Sequence, residues 1–542
     1  MNTPLAHAKA PFPASHHARS AHRRCHRASG LIATEVELKL IVPASDLKQL
    51  KRAVLALPNA RSESQLDLTS TYYDTPDLKL HRNQLTLRVR KQGRQFVQTV
   101  KAGDFAGADL LARREWEDAV TSWRPDTDAP RTGKQLPGSI RERDLRSVFT
   151  TSLTRELIDF EPDLSTRIEV AIDEGRIRTS DGNRVEPISE MELELKCGDP
   201  TALYDLALRL LEAAPVRIET RSKAERGYRL LGAAEPAQPV YAGPVVLDPE
   251  MPFDTALQLF GRQCLTHLLR NEASMLGGAP EGVHLMRVAV RRLRSVLSAV
   301  RPMLPLEHHR WVSEEMKWLT HVLGPVRNWD VLATDLIRPV CDALPANGEL
   351  AHLVKVVEDR HHAAFVEAKQ AILSERYTKS MLHLLRWFEA RQWREQPISE
   401  DAALLLKPIA TVAPELIDRC YRRARKFSKR FAEQTSAERH RLRIALKRLR
   451  YVIEFLGCLF DKKQVTGFVD RLKSLQDRLG HANDIRVPHQ LLAELPANAD
   501  QDIRAMDRAA GLVRGWHERD LANQEQTVRR LVRRFKHSNR FW

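Results

Sequence analysis

Cysteine is scarce in this 542-residue chain: Cys25, Cys197, Cys264, Cys341, Cys420 and Cys458 stand far apart, with no CxxC spacing among them. That weighs against a thiolate zinc site and a disulfide framework, and it fits a reducing cytoplasm. Long apolar runs are missing as well. The best stretch, Tyr451 to Phe460, carries Glu454 and falls well short of the ~20 residues that a membrane-spanning helix needs. Residues 1–30 contain no acid and are rich in Ala, His, Arg, Ser and Pro, as at His16-His17 and Arg23-Arg24. Such a composition cannot build a core; it reads as a disordered tail, with an Arg-rich transit peptide as the alternative. Aromatic residues are only 6% of the chain and are sparse near its basic stretches, which weighs against a nucleic-acid module.

What the chain does have is charge, unevenly placed. The net charge of +16 suggests an anionic partner, yet residues 1–240 hold 37 Lys and Arg against 34 Asp and Glu, while residues 241–542 hold 49 against 36. Hydrophobic patterning divides the chain at the same place. From Thr34 to about Gly232, short period-two segments alternate with turn signals, which predicts strands. A Pro-rich stretch with Pro236, Pro239 and Pro244 reads as a linker, and from Phe253 onward the apolar period is helical. The expected organisation is a tail over 1–30, a β domain over 31–234, a linker over 235–252 and a helical domain over 253–542.

The strand half puts charge on one face of successive segments. Glu35, Glu37 and Lys39 alternate along one segment, as do Arg88 and Arg90, Thr99 and Lys101, Arg113, Glu115 and Glu117, and Glu190, Glu192, Glu194 and Lys196. Alternate strand residues share a face, so each run lines up its charges on one side. One such run would be an ordinary solvated face. Five of them, with mostly apolar residues between, predict a closed barrel with a polar interior. Lys and Arg there would donate to phosphate oxygens, and Glu oxygens would suit hard divalent cations.

This ordered set, with Tyr72-Tyr73-Asp74-Thr75, Arg155 after Phe149-Thr150-Thr151, and Ser222-Lys223 through Arg226-Gly227-Tyr228, resembles the CYTH family, or triphosphate tunnel metalloenzymes, in its inorganic triphosphatase branch. The resemblance implies an α+β chain whose first part is an eight-stranded antiparallel β-tunnel that hydrolyses triphosphates with Mg²⁺ or Mn²⁺. It implies that Glu35, Glu37, Glu190 and Glu192 hold metal, and that Glu35, Glu37 and Lys39 carry catalysis. Lys39, Arg88, Arg90, Lys101, Arg113, Arg155, Lys223 and Arg226 would bind phosphates. Thiamine triphosphate hydrolysis and adenylyl cyclisation remain alternatives within the same family.

The helical half repeats itself. His284 through Arg294 recurs as His440 through Arg450, and Lys317 through Gly324 recurs as Lys473 through Gly480, both at an offset of 156 residues. Two motifs at one offset predict two tandem helical bundles. His284, Arg287, Arg291 and Arg294 would occupy about 80° of a helix surface, opposite Met286, Val290, Leu293 and Leu297, and His440, Arg443, Lys447 and Arg450 would repeat that ridge. Like charges so spaced repel unless an anion lies between them. These helices, with the following Leu323-Gly324 and Leu479-Gly480 turns, resemble the CHAD family. That resemblance implies inorganic polyphosphate binding and association with polyphosphate granules. A metal site at His284 or His440 is the alternative, although neither has a second ligand at helical spacing.

Overall fold

The computed structural model describes residues 34–102, 112–232, 237–396, 399–493 and 500–542. The expected tail, residues 1–30, lies outside the described residues, as do the side chains of Glu35 and Arg113. The period-two segments form β1 (Thr34–Ile41), β2 (Ala60–Asp74), β3 (Leu85–Gln92), β4 (Gln95–Ala102), β5 (Ala112–Val120), β6 (Arg146–Phe160), β7 (Arg167–Thr179) and β8 (Val185–Cys197). They pair antiparallel in the order β5-β4-β3-β2-β6-β7-β8-β1, and β1 pairs again with β5, so eight strands close into a ring. A short ninth strand, β9 (Arg217–Glu219), joins β1 beside β5: β5 takes Thr34 to Val36 and β9 takes Lys39 to Ile41.

Helices missing from the strand reading support this ring from outside. Helix α1 (Leu47–Leu55) buries Leu47, Leu50 and Val54, an i, i+3, i+7 stripe, in one core with Leu38 and Leu40 of β1. Helix α2 (Thr201–Ala213) is buried around much of its circumference, because it packs on β1 and β8 and also on the helical part. Helix α3 (Lys223–Leu231) closes one end of the tunnel. There Ala224 and Tyr228 join Leu68, Tyr72, Phe149, Leu153, Ile177 and Ile188 in a separate apolar cluster. Gly227 permits the contact, since a Cβ there would sit 2.2 Å from the Phe149 ring.

The helical part comprises α4 (Phe253–Arg270), α5 (Glu272–Leu276), α6 (Pro280–Ala299), α7 (Leu306–Val331), α8 (Gly348–Leu373), α9 (Glu375–Glu389), α10 (Ile409–Phe427), α11 (Ser436–Leu456), α12 (Lys462–Ala493) and α13 (Asp500–Lys536), with several short turns between them. The duplication is visible in the helix starts: Phe253 and Ile409, Pro280 and Ser436, and Leu306 and Lys462 are each 156 residues apart. Helices α6 and α11, the repeated basic helices, pack on each other. No helix among the described residues is long and apolar enough to cross a membrane. One expectation needs correction: Leu323-Gly324 and Leu479-Gly480 are not turns but lie inside α7 and α12. Gly324 serves close approach instead, because a Cβ there would come within 3.2 Å of Arg287 Nη1 on α6.

The Pro-rich linker is held against the helical part. Gln263 donates to Gly243 O at 2.6 Å, and Val245 and Leu247 are buried in the shared core. At the junction, Glu272 is buried where Tyr377 of α9 donates to it at 2.6 Å, with Arg217 of β9 3.2 Å away. Burial pushes its carboxyl up to about 7, with Glu219 of β9 adding a like charge, against the opposing pull of Tyr377 and Arg217. Between the ordinary 4.5 and 7, the unfolded chain releases a proton that the folded chain retains, so stability declines as pH rises through that window. Relative to Glu272→Gln, the protein should lose roughly 3 kcal/mol of unfolding free energy between pH 4.5 and 8. Urea titrations of both proteins at the two pH values check this, and a pH-independent difference would contradict it.

Candidate active site

The tunnel lining follows from register. On β8, Glu190 stands opposite Asp173 of β7; Glu192 stands opposite Lys39 of β1; and Glu194 stands opposite Glu37. Arg155 of β6 stands opposite Asp173 from the other side. Acids and bases from β1, β6, β7 and β8 thus converge on one interior. Helix α3 adds two cations from the tunnel end. Ser222 caps it in a reciprocal box with Glu225, which fixes its first turn and aims Lys223 and Arg226 inward, where both are buried.

Asp173, Glu190 and Glu192 bring carboxylate oxygens within 4.8 Å of one another. The Lys223 ammonium lies among all three: 2.7 Å from Asp173, 3.0 Å from Glu192 and in contact with Glu190. Arg155 grips Asp173 with two bonds, at 2.7 and 2.6 Å, and reaches Glu192 at 2.5 Å. Arg226 holds Glu190 and Glu186, each at 2.7 Å, and Lys39 lies 2.5 Å from Glu37 and 3.6 Å from Glu192. Burial works against the charge on Glu192, but Lys223, Arg155 and Lys39 together hold its carboxyl well below the usual range. The same attraction outweighs burial at Arg155 and Lys223 and raises both.

Across the ring, β3 and β4 supply the complementary cations. Arg88 lies 3.3 Å and Lys101 2.8 Å from Glu115, and Thr99 donates to Glu117 at 3.0 Å. Arg90 differs. It donates to Ser70 Oγ at 3.0 Å and makes no ion pair among the described residues; burial, with Arg88 and Arg155 as like charges, pulls its guanidinium down to about 10. A buried cation beside other cations is where an incoming anion gains most.

The structure therefore gathers Lys39, Arg88, Arg90, Lys101, Arg155, Lys223 and Arg226 around one interior with Glu37, Glu190 and Glu192. Asp173 is the member that sequence reading missed. It occupies the same face as Glu169 and Ala171 on β7, but only pairing with β6 and β8 reveals that this face joins the site. Three carboxylates with no sulfur or imidazole form a hard oxygen donor set, which fits Mg²⁺ or Mn²⁺. A divalent ion on these oxygens would have to displace the Lys223 ammonium.

In the helical part, a cavity of about 650 Å³ is lined by Arg287, Arg291 and Arg294 of α6, Arg310 and Lys317 of α7, and Arg448 of α11. Burial, then Arg291 and Arg327, pulls Arg287 down to about 10, and burial with Arg327 also lowers His284. The second ridge departs from expectation: Arg450 pairs with Glu454 at 3.4 Å and lies over Tyr451, while Arg448 faces the cavity. His440, Arg443 and Lys447 lie on α11 outside that lining.

Comparison with known proteins agrees with this division. Residues 33–228 match the model of the CYTH domain and residues 260–493 that of the CHAD domain. An inorganic triphosphatase of Haemophilus influenzae is 32% identical over 211 residues, 38% of this chain and 57% of that relative, so the match spans little more than half of the relative's length. An uncharacterized protein of Mycobacterium tuberculosis is 28% identical over 448 residues, 78% of this chain and 82% of that one. The crystal structure of the CHAD domain from the plant Ricinus communis is 30% identical and covers 57% of this chain and 98% of its own, at a TM-score of 0.46.

Proposed function

Since the chain carries a CYTH domain followed by a CHAD domain, we propose that its tunnel hydrolyses inorganic triphosphate with Mg²⁺ or Mn²⁺ and that its helical part binds inorganic polyphosphate. The observation that carries the first reading is the Asp173, Glu190 and Glu192 cluster facing buried cations in one interior. Arg88, Arg90 and Lys101 would bind the phosphate oxygens and set the chain's direction in the tunnel. Arg155 and Lys39 keep Glu192 ionised, and Lys223, released from the carboxylates, would turn to the phosphates. Glu37, which accepts from Lys39, would orient an attacking water. The bound ion, when present, supplies neutralisation of phosphate oxygens and a lowered water pKa. Glu35 and Arg113, opposite each other on β1 and β5, would add a metal ligand and a phosphate donor.

The second reading rests on the cationic cavity between α6, α7 and α11, which has Glu314 as the acid in its lining. A polyphosphate chain there would relieve the repulsion within the ridge, and that affinity would bring the protein to polyphosphate granules. Phosphate release from inorganic triphosphate, ATP, thiamine triphosphate and long-chain polyphosphate, each with Mg²⁺ and Mn²⁺, tests the tunnel. Inorganic triphosphate should be the fastest substrate; comparable turnover of ATP would contradict the assignment. Long-chain polyphosphate should also outcompete DNA at matched ionic strength, with affinity falling as salt rises. Tight polyphosphate binding without any turnover would leave a purely binding protein.

A further inference from the structure

Arg270, Asn271 and Glu272 form the corner between α4 and α5, and each grips a different piece of chain behind the tunnel site. Arg270 Nη2 lies 3.4 Å from Glu225 Oε1 on α3. The other oxygen of that carboxylate accepts from the Ser222 backbone N–H at 2.7 Å and from its hydroxyl at 3.0 Å, which is the cap of α3. Asn271, fully buried, holds both backbone groups of Val240 in the linker, accepting at 3.0 Å and donating at 2.8 Å. Glu272 reaches Arg217 on β9, the strand that pairs with β1 at Lys39 to Ile41.

We propose that this corner of the helical domain is a positioning element for the tunnel: through Glu225 it sets the first turn of α3, and so where Lys223 and Arg226 meet the carboxylates. The proposal rests on the tunnel being the triphosphate site. Helix α3 has only nine residues, too few to persist on its own, so its end is placed by what it touches. Its apolar side is fixed by Phe149 against Gly227, and its capped end is fixed by Arg270. Lys223 is the first residue of the helix and stands among all three carboxylates, so a small shift of the cap moves the ammonium that a metal must displace. The positioning residue Arg270 comes from the helical domain, outside the strands that close the tunnel.

The test uses the full-length chain with Arg270→Ala, Arg270→Lys, Glu225→Gln and the Arg270→Ala/Glu225→Gln double variant. Arg386→Ala is the control, because it breaks the 2.5 Å contact with Asp205 of α2 at the same junction but makes no bond to α3 or β9. Steady-state triphosphate hydrolysis gives kcat and KM, and calorimetric titration of inorganic triphosphate into metal-free protein gives Kd. Arg270→Ala should weaken triphosphate binding and raise KM roughly fivefold or more, as misplacement of a binding group does. Arg270→Lys should restore most of the loss, the double variant should be no worse than Glu225→Gln, and Arg386→Ala should match the parent. Unchanged KM and Kd in Arg270→Ala, additive effects in the double variant, or an equal loss in Arg386→Ala would overturn the proposal. If Arg270→Ala does not fold, Glu225→Gln and Arg270→Lys decide it on the same two constants. If the parent turns over no triphosphate but Arg270→Ala still weakens its binding, the hydrolase reading fails while the positioning role stands.

Discussion

Glu192→Gln should lower metal-dependent phosphate release by roughly 10²-fold or more, the scale expected when a charged group that organises a metal and phosphate site is neutralised. Glu192 is where three cations meet: Lys223 at 3.0 Å, Arg155 at 2.5 Å and Lys39 at 3.6 Å. Gln keeps the shape but removes the charge that holds these groups, and it also removes one of three clustered carboxylates. The remaining cations would then repel one another and turn to Asp173 and Glu190, tightening the hold of Lys223 on the oxygens a metal needs. Saturation curves for Mg²⁺ and Mn²⁺ should shift to higher concentration along with the loss of rate. A variant within about threefold of the parent rate would remove Glu192 from the site.

The second large effect is on folding. Asp74 is completely buried at the end of β2, and its two oxygens accept five bonds: Thr75 N–H at 2.7 Å and its hydroxyl at 3.5 Å, Leu80 N–H at 2.8 Å, His81 N–H at 3.0 Å and the Tyr228 hydroxyl at 2.9 Å. It therefore ties a strand, the turn after it and α3 into one unit at the closed end of the tunnel. Asp74→Ala strands these donors in an apolar cluster and should cost about 3 kcal/mol or more, seen as a lower urea midpoint with an unchanged m-value. Tyr228→Phe, which removes one bond and leaves the ring packed on Phe149 and His81, should cost only about 1 kcal/mol. Equal losses in the two variants would show that the hydroxyl carries the whole effect and the carboxylate none.

Much of the tunnel was legible because period-two alternation is a local signal. Glu190 and Glu192, or Arg88 and Arg90, declare a shared face within three residues. Asp173 was not legible, because its neighbour Glu174 offers a second carboxylate on the opposite face and only its register opposite Glu190 and Arg155 decides between them. The helices α1, α2 and α3 were hidden by brevity: two have nine residues and the third thirteen, and at that length each depends on the surfaces it packs against more than on the apolar stripe it carries. In the helical half, the repeat fixed which helices correspond, but not their rotation. Spacing puts Arg450 on the ridge and Arg448, two residues earlier, on another face, yet Arg448 lines the cavity while Arg450 pairs with Glu454 one turn further along. The corner at Arg270 to Glu272 has no motif at all, since its partners Glu225, Val240, Arg217 and Tyr377 are scattered through the chain.

The closure of the ring by β1 has a consequence for how the protein is made. Strand β1 pairs with β5, β8 and β9, so its first pairing waits for Arg114 and the rest for Glu194 and Glu219. Closing such long loops carries a high entropic cost, which makes ring closure a late, slow step. Until then β1 and its future neighbours wait with open edges, the usual template for association between chains. Their inner face, however, is Glu37, Lys39, Arg88, Arg90 and Glu192, and not a row of Val and Ile. The charges later enclosed in the tunnel keep the unfinished sheet in water, and their burial is postponed until oppositely charged strands arrive together.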